Sequence, residues 1–153
     1  MNLTSEVFIE GGPIPKQYTC DQRGVSPPLS WSGEPEETAV FALIVDDPDA
    51  PRGDFIHWLL YNLPASVTSL PPGLPRVEKL DSGAVQGING FGKIGYGAPC
   101  PPPGPPHRYR FTLYALEAAV GLEPGATAGA LTRAMEGKVG AEARLTGLYQ
   151  RAQ

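Results

Sequence analysis

Apolar residues along this chain gather in strand-length runs and alternations, and take a helical spacing only near its end. Leu3 to Glu10 alternates loosely and suits a first strand. Leu29-Ser30-Trp31 reads as a short second one. Ala39–Val45 and Phe55–Asn62 carry the strongest strand signal, being rich in aromatic and branched residues and bounded by turn formers. Arg108–Glu117 places Tyr109, Phe111, Leu113 and Ala115 on one face and Arg110, Thr112 and Tyr114 on the other, as a strand with one buried face requires. In the tail, Thr127 can cap a short helix running to Met135, with Gly137 ending it. Val139, Ala143, Leu145, Leu148 and Tyr149 are near helical spacing, which predicts a second helix over Val139–Arg151. No strand–helix alternation and no internal repeat appears. The expected fold is mainly β: a single domain over 1–153 forming an antiparallel two-sheet sandwich with one or two short C-terminal helices.

The segments between strands are dense in glycine (19 in the chain) and proline (18). Proline is expelled from central strands and helix interiors, so these segments are loops whose backbone is partly set before folding. The net charge is −4 with no basic stripe, which argues against nucleic acid as a partner. Met1–Glu6 lacks the basic and apolar regions of a secretion signal. No apolar run approaches the ~18 residues of a membrane span. A cytoplasmic protein is therefore expected, with Cys20 and Cys100 as reduced thiols. A bond between them would need Cα atoms within ~7 Å.

Candidate chemistry is sparse. Gly87-Ile88-Asn89-Gly90-Phe91-Gly92-Lys93 has the spacing of a phosphate loop. It lacks the following hydroxyl residue, and Gly95-Tyr96-Gly97-Ala98-Pro99 cannot continue as a helix, so nucleotide binding is set aside. No nucleophile elbow, zinc-protease helix or paired-cysteine motif occurs. What stands out is Asp46-Asp47-Pro48-Asp49-Ala50-Pro51, which closes the apolar run Val40–Val45 without a break. His57 opens the next apolar run, and His107 opens the last long strand. Taken singly, His57 reads as a core histidine, His107 as a loop residue, and Asp47 and Asp49 as turn acids. Together they all stand at strand ends beside Pro/Gly-rich loops. Two histidines and a carboxylate could hold a metal. Two histidines, a tyrosine hydroxyl and backbone N–H groups could instead hold a small oxyanion, with the carboxylate orienting an imidazole.

Several multi-residue motifs occur in one order: Tyr18-Thr19-Cys20-Asp21, Ser26-Pro27-Pro28-Leu29-Ser30-Trp31, Asp47-Pro48-Asp49-Ala50-Pro51, His57-Trp58, Gly95-Tyr96-Gly97-Ala98-Pro99-Cys100-Pro101-Pro102 and His107-Arg108-Tyr109-Arg110-Phe111. In these the chain resembles the phosphatidylethanolamine-binding proteins, in particular the short bacterial and archaeal branch described as Raf-kinase-inhibitor-like. The resemblance covers nearly the whole chain and implies an antiparallel β-sandwich with a small anion pocket. It places Asp47, Asp49, His57, His107 and Tyr109 in that pocket, with backbone from Ala98, Pro99, Cys100 and Pro101. It also implies cis peptides in the Asp-Pro-Asp-Ala-Pro and Pro-Cys-Pro-Pro segments. Ala98 stands where the family commonly has glycine, so a positive φ there would be costly. Arg23 is expected in solvent, and Lys138 stands where the branch often has histidine.

The function expected is a binding module for a small phosphate-like anion or phosphorylated ligand, with no cofactor, no metal and no catalytic residue. A kinase- or protease-regulating interaction protein is the alternative, and a weak phosphoester hydrolase or metal-site enzyme the second alternative. A homodimer is compatible with the resemblance.

Overall fold

The computed structural model describes residues 1–151. The strands are β1 (Asn2–Thr4), β2 (Leu29–Ser32), β3 (Val40–Asp47), β4 (Phe55–Pro64), β5 (Ser69–Leu70), β6 (Val85–Gln86), β7 (His107–Leu116) and β8 (Val139–Tyr149). Among the described residues there is one α-helix, α1, over Ala128–Met135. One sheet has the order β1-β2-β5 and the other β6-β4-β3-β7-β8, with antiparallel pairing throughout. The mainly-β sandwich expected from the alternation is therefore what forms.

The main core fills the space between the sheets. Leu3, Leu29, Trp31 and Leu70 of the small sheet meet Phe41, Leu43, Val45, Trp58, Leu60, Phe111 and Leu113 of the large one. The outer face of the large sheet is covered as well. Leu131 and Met135 of α1 pack there with Val120 against Ala42, Leu59, Tyr61 and Leu116. Covering both faces explains why β4 reads Trp58-Leu59-Leu60-Tyr61 with no polar interruption. The Thr127 hydroxyl caps α1 by accepting from the Ala130 N–H at 3.2 Å. Gly137, at φ +77°, turns the chain out of the helix.

Two expectations about elements fail. The first strand stops at Thr4 rather than reaching Glu10. Residues Val139–Tyr149 form a strand, not a second helix, and pair with β7 from His107↔Tyr149 to Leu116↔Val139. The buried positions of β8 are Ala143, Leu145, Gly147 and Tyr149, a period of two. Gly147 hid that period, because glycine does not count as apolar. A Cβ there would lie 2.6 Å from Ile14 and 2.8 Å from Phe8, so those side chains occupy the space a larger residue would fill.

No peptide bond among the described residues is cis, so that expectation also fails. Cys20 and Cys100 are joined, with Cα atoms 5.3 Å apart, and are not free thiols. Their 80-residue separation in sequence concealed the proximity.

Candidate functional site

The inward-facing row of β3, Phe41, Leu43 and Val45, continues to Asp47, which is 3% exposed. On β7 the inward row Leu113, Phe111 and Tyr109 continues to His107. Because β3 and β7 are adjacent and antiparallel, the end of one row meets the start of the other. His107 Nδ1 lies 2.7 Å from Asp47 Oδ2, and both side chains are buried. A carboxylate only accepts, so Nδ1 carries the hydrogen and Nε2 is the ring atom left for a ligand. The other Asp47 oxygen accepts the Asp49 N–H at 2.8 Å, which fixes the turn that follows.

His57 arrives by a different device. Trp58 and Leu60 face the inter-sheet core, so strict alternation would put His57 on the outer face with Leu59. The β3–β4 register shifts between Val45↔Trp58 and Asp46↔Ile56, which leaves His57 as the unmatched residue of a bulge. Its ring lies 5.2 Å from that of Tyr109, within the inner row. His57 Nδ1 is 2.7 Å from the Gly97 carbonyl, and the Gly97 N–H donates to the His57 carbonyl at 2.7 Å. The neutral ring is thus the Nδ1–H form, with its Nε2 lone pair unengaged by protein. Burial holds the His57 imidazole below its ordinary pKa. Burial and the Asp47 charge push the Tyr109 phenol well above its own, so it stays protonated as a donor.

These four side chains line one cavity of about 390 Å³. Ala50, Pro51, Phe55, Phe91, Cys100, Pro101 and Pro102 complete its walls. Among the described residues no Lys or Arg lines it.

Of the residues predicted for the site, Asp47, His57, Cys100, Pro101, His107 and Tyr109 are brought together. Asp49 is not: it turns outward, accepting from the Arg108 N–H, Nε and Nη2 at 2.9, 2.9 and 2.8 Å. Those bonds hold the Asp49 carboxyl down at about 2. Asp46 pairs with Arg110 at 2.6 Å. Beside it, partial burial and the Asp46 carboxylate push Asp54 up to about 6. Ala98 lines a neighbouring cavity instead, and its φ is not positive, so alanine costs nothing there. Pro99 is buried behind the rim, its carbonyl accepting the Cys20 N–H at 3.0 Å. Arg23 is exposed as expected. Lys138 donates to the Ala134 carbonyl at the end of α1.

No motif along the chain marks the apolar wall of the site. Phe55 and Phe91 meet edge to face at 4.8 Å and flank His57 at 4.9 and 5.8 Å. The glycines were the available signal. A Cβ on Gly90 would lie 2.5 Å from the Phe55 ring, and one on Gly97 would lie 2.6 Å from Phe91. Bare backbone is the surface on which each ring rests.

Behind the rim, the Tyr18–Asp21 segment acts as a buttress. The disulfide ties it to Cys100, and the Tyr96 hydroxyl donates to the Tyr18 carbonyl at 2.7 Å. Tyr149 donates to Asp21, which also pairs with Arg151 at 3.1 Å.

The sequence model of the phosphatidylethanolamine-binding protein family matches residues 4–150. The chain belongs to the phosphatidylethanolamine-binding protein family. A UPF0098 protein of Methanothermobacter thermautotrophicus is 50% identical over 151 residues, covering 99% of both chains. Another from Aquifex aeolicus is 46% identical, covering 99% of this chain and 89% of the relative. The crystal structure of CT736 from Chlamydia trachomatis, described as a homologue of phosphatidylethanolamine-binding protein, superposes with a TM-score of 0.90 at 44% identity, covering 98% and 97% of the two chains. That of E. coli YbcL, described as a new member of the mammalian family, gives 0.91 at 36% identity over 98% of each. Membership in this family accounts for the two-sheet fold and for the order of motifs along the chain. Among the described residues no helix of this family member is long and apolar enough to cross a membrane.

Proposed function

We propose that this chain is a binding module whose cavity holds a small phosphate-like anion, free or as the head of a phosphorylated ligand. The observation that carries the reading is the buried Asp47–His107 pair at 2.7 Å, set in one cavity with His57 and Tyr109. Protonated Nε2 atoms and the Tyr109 hydroxyl would converge on the oxyanion as charge-assisted donors. Asp47 does not touch the ligand; it orients His107 and offsets its charge. Calorimetric titration with inorganic phosphate and phosphoethanolamine at about pH 6 tests this. Binding lost in His57→Ala, with the fold intact by circular dichroism, is the expected result. No heat from the wild-type protein at millimolar phosphate would sink it.

Hydrolysis ranks below binding. The lining side chains offer no Ser, Thr or Lys nucleophile, and the Cys100 sulfur is bonded to Cys20. Regulation of a kinase or protease stands as the alternative, and a pull-down with and without a cavity mutation tests it. The Cys20–Cys100 bond weighs against a reducing cytoplasm, because disulfides persist mainly in oxidising compartments.

A further inference from the structure

The segment Gly87–Lys93, set aside as a phosphate loop, does something else in the folded chain. Asn89 is buried at its centre. Its side-chain oxygen accepts the N–H groups of Phe91 and Lys93 at 2.8 and 3.2 Å, and its Nδ2 donates to the Gly95 carbonyl at 2.9 Å. Gly92 adopts φ +75° between them. The turn has a fixed shape, and it presents Phe91 and Lys93 side by side. Phe91 is packed against Phe55 and the Gly97 backbone, yet 50% of it stays in water.

That half-wet ring lines the first cavity and also a second one of about 330 Å³, lined besides by Arg76, Lys93 and Tyr96. Arg76 is held in place by the chain itself: its Nε donates to the Tyr96 carbonyl at 2.8 Å and its Nη2 to the Gly24 carbonyl. Among the described residues neither Arg76 nor Lys93 has a carboxylate partner. Two uncompensated cations beside one cavity stand out on a chain of net charge −4. Among the described residues, by contrast, no Lys or Arg lines the first cavity.

We propose that the second cavity is a subsite for a second anionic group. The ligand would be a small molecule with a phosphate-like group at one end, an apolar middle lying over Phe91, and a carboxylate or second phosphate held by Arg76 and Lys93. This rests on the anion reading of the first cavity. The guanidinium supplies directional N–H donors and the ammonium a mobile point charge, a pairing suited to carboxylate or phosphate.

The test compares inorganic phosphate, n-alkyl monophosphates and alkane-α,ω-bisphosphates of increasing length, by calorimetry at about pH 6. At one chain length the bisphosphate should bind about 3- to 10-fold tighter than the matching monophosphate, a gain that shrinks with added salt. Lys93→Met should remove most of that gain and leave phosphate binding unchanged. Phe91→Ala should weaken the alkyl compounds more than phosphate. Arg76 is left alone because its backbone bonds are structural. If phosphate binds but no bisphosphate outdoes its monophosphate, or Lys93→Met keeps the gain, the subsite is overturned and the first cavity stands. If bisphosphates bind in a Lys93-dependent way while phosphate does not, the subsite stands and the first reading falls. If nothing binds, both fall.

Discussion

The sharpest consequence of the site geometry is a proton requirement for anion binding. The perturbation is pH, and the probe is sulfate, which does not titrate near neutrality as phosphate does. Any pH dependence then belongs to the protein. His57 is 4% exposed, burial holds its pKa below the ordinary value near 6.5, and its Nδ1 is committed to Gly97. Above about pH 6.5 the free protein therefore carries His57 mostly neutral, and a bound anion must bring a proton to Nε2. One proton taken up on binding changes the affinity by about tenfold per pH unit. Sulfate should thus bind up to about 100-fold more weakly at pH 8 than at pH 6. His57→Asn separates the two jobs of the ring. Its amide nitrogen can take the place of Nδ1 and keep the Gly97 bond, whose loss would orphan a buried carbonyl at about 1–3 kcal/mol. It offers nothing in place of Nε2. Losing one charge-assisted bond of about 1.5–3 kcal/mol predicts roughly 10- to 150-fold weaker sulfate binding at pH 6, with a shallower pH slope. The assay is calorimetry in two buffers of different ionisation heat, which counts the protons directly. A flat wild-type profile, or a His57→Asn variant with the wild-type slope, would refute the reasoning.

Three further outcomes follow from the packing and the charges. Gly147→Ala should destabilise by about 1–3 kcal/mol, because the new methyl would meet Ile14 and Phe8 below 3 Å; urea unfolding matching wild type would contradict the account of β8. Reducing Cys20–Cys100 opens a link spanning 80 residues. The chain-entropy account values such a link at about 4.5 kcal/mol, or a fall in Tm of roughly 9–18 °C. Calorimetric scans with and without a dithiol measure it, and an unchanged Tm would count against the buttress. Asp54, raised to about 6, holds its proton more tightly folded than unfolded. That contribution is present below about pH 4 and lost as pH rises through about 6. Asp54→Asn should therefore stabilise at pH 7 and not at pH 4. Since 50% of the side chain is in water, the gain is about 1 kcal/mol or less. Equal effects at both pH values would refute the Asp46–Asp54 repulsion.

Much of the fold was legible in the sequence. β3, β4 and β7 lie within two residues of where apolar runs, alternation in β7 and turn formers placed them, because strand-length apolar segments bounded by turn residues are a local pattern. The helix from Thr127 to Met135 was equally readable, since cap chemistry is local. The misread tail shows the limit. β8 buries a glycine at its centre, and only the neighbouring Ile14 and Phe8 explain why that position must be empty. Asp49 stands outside the cavity for a similar reason. Its neighbour Asp47 lies on the buried row, while Asp49, two residues on and past Pro48, has already left the strand for Arg108.

By itself the sequence determined that acids end one strand, that histidines open two others, and that loops rich in Pro and Gly stand beside them. Those are properties of local pattern. Only the tertiary structure decided which acid meets which histidine. Antiparallel register brings Asp47 to His107, and a one-residue bulge turns His57 from the outer face to the inner one. Pairing between strands 60 residues apart, and the side on which an unmatched residue emerges, depend on contacts that no local window of the chain contains.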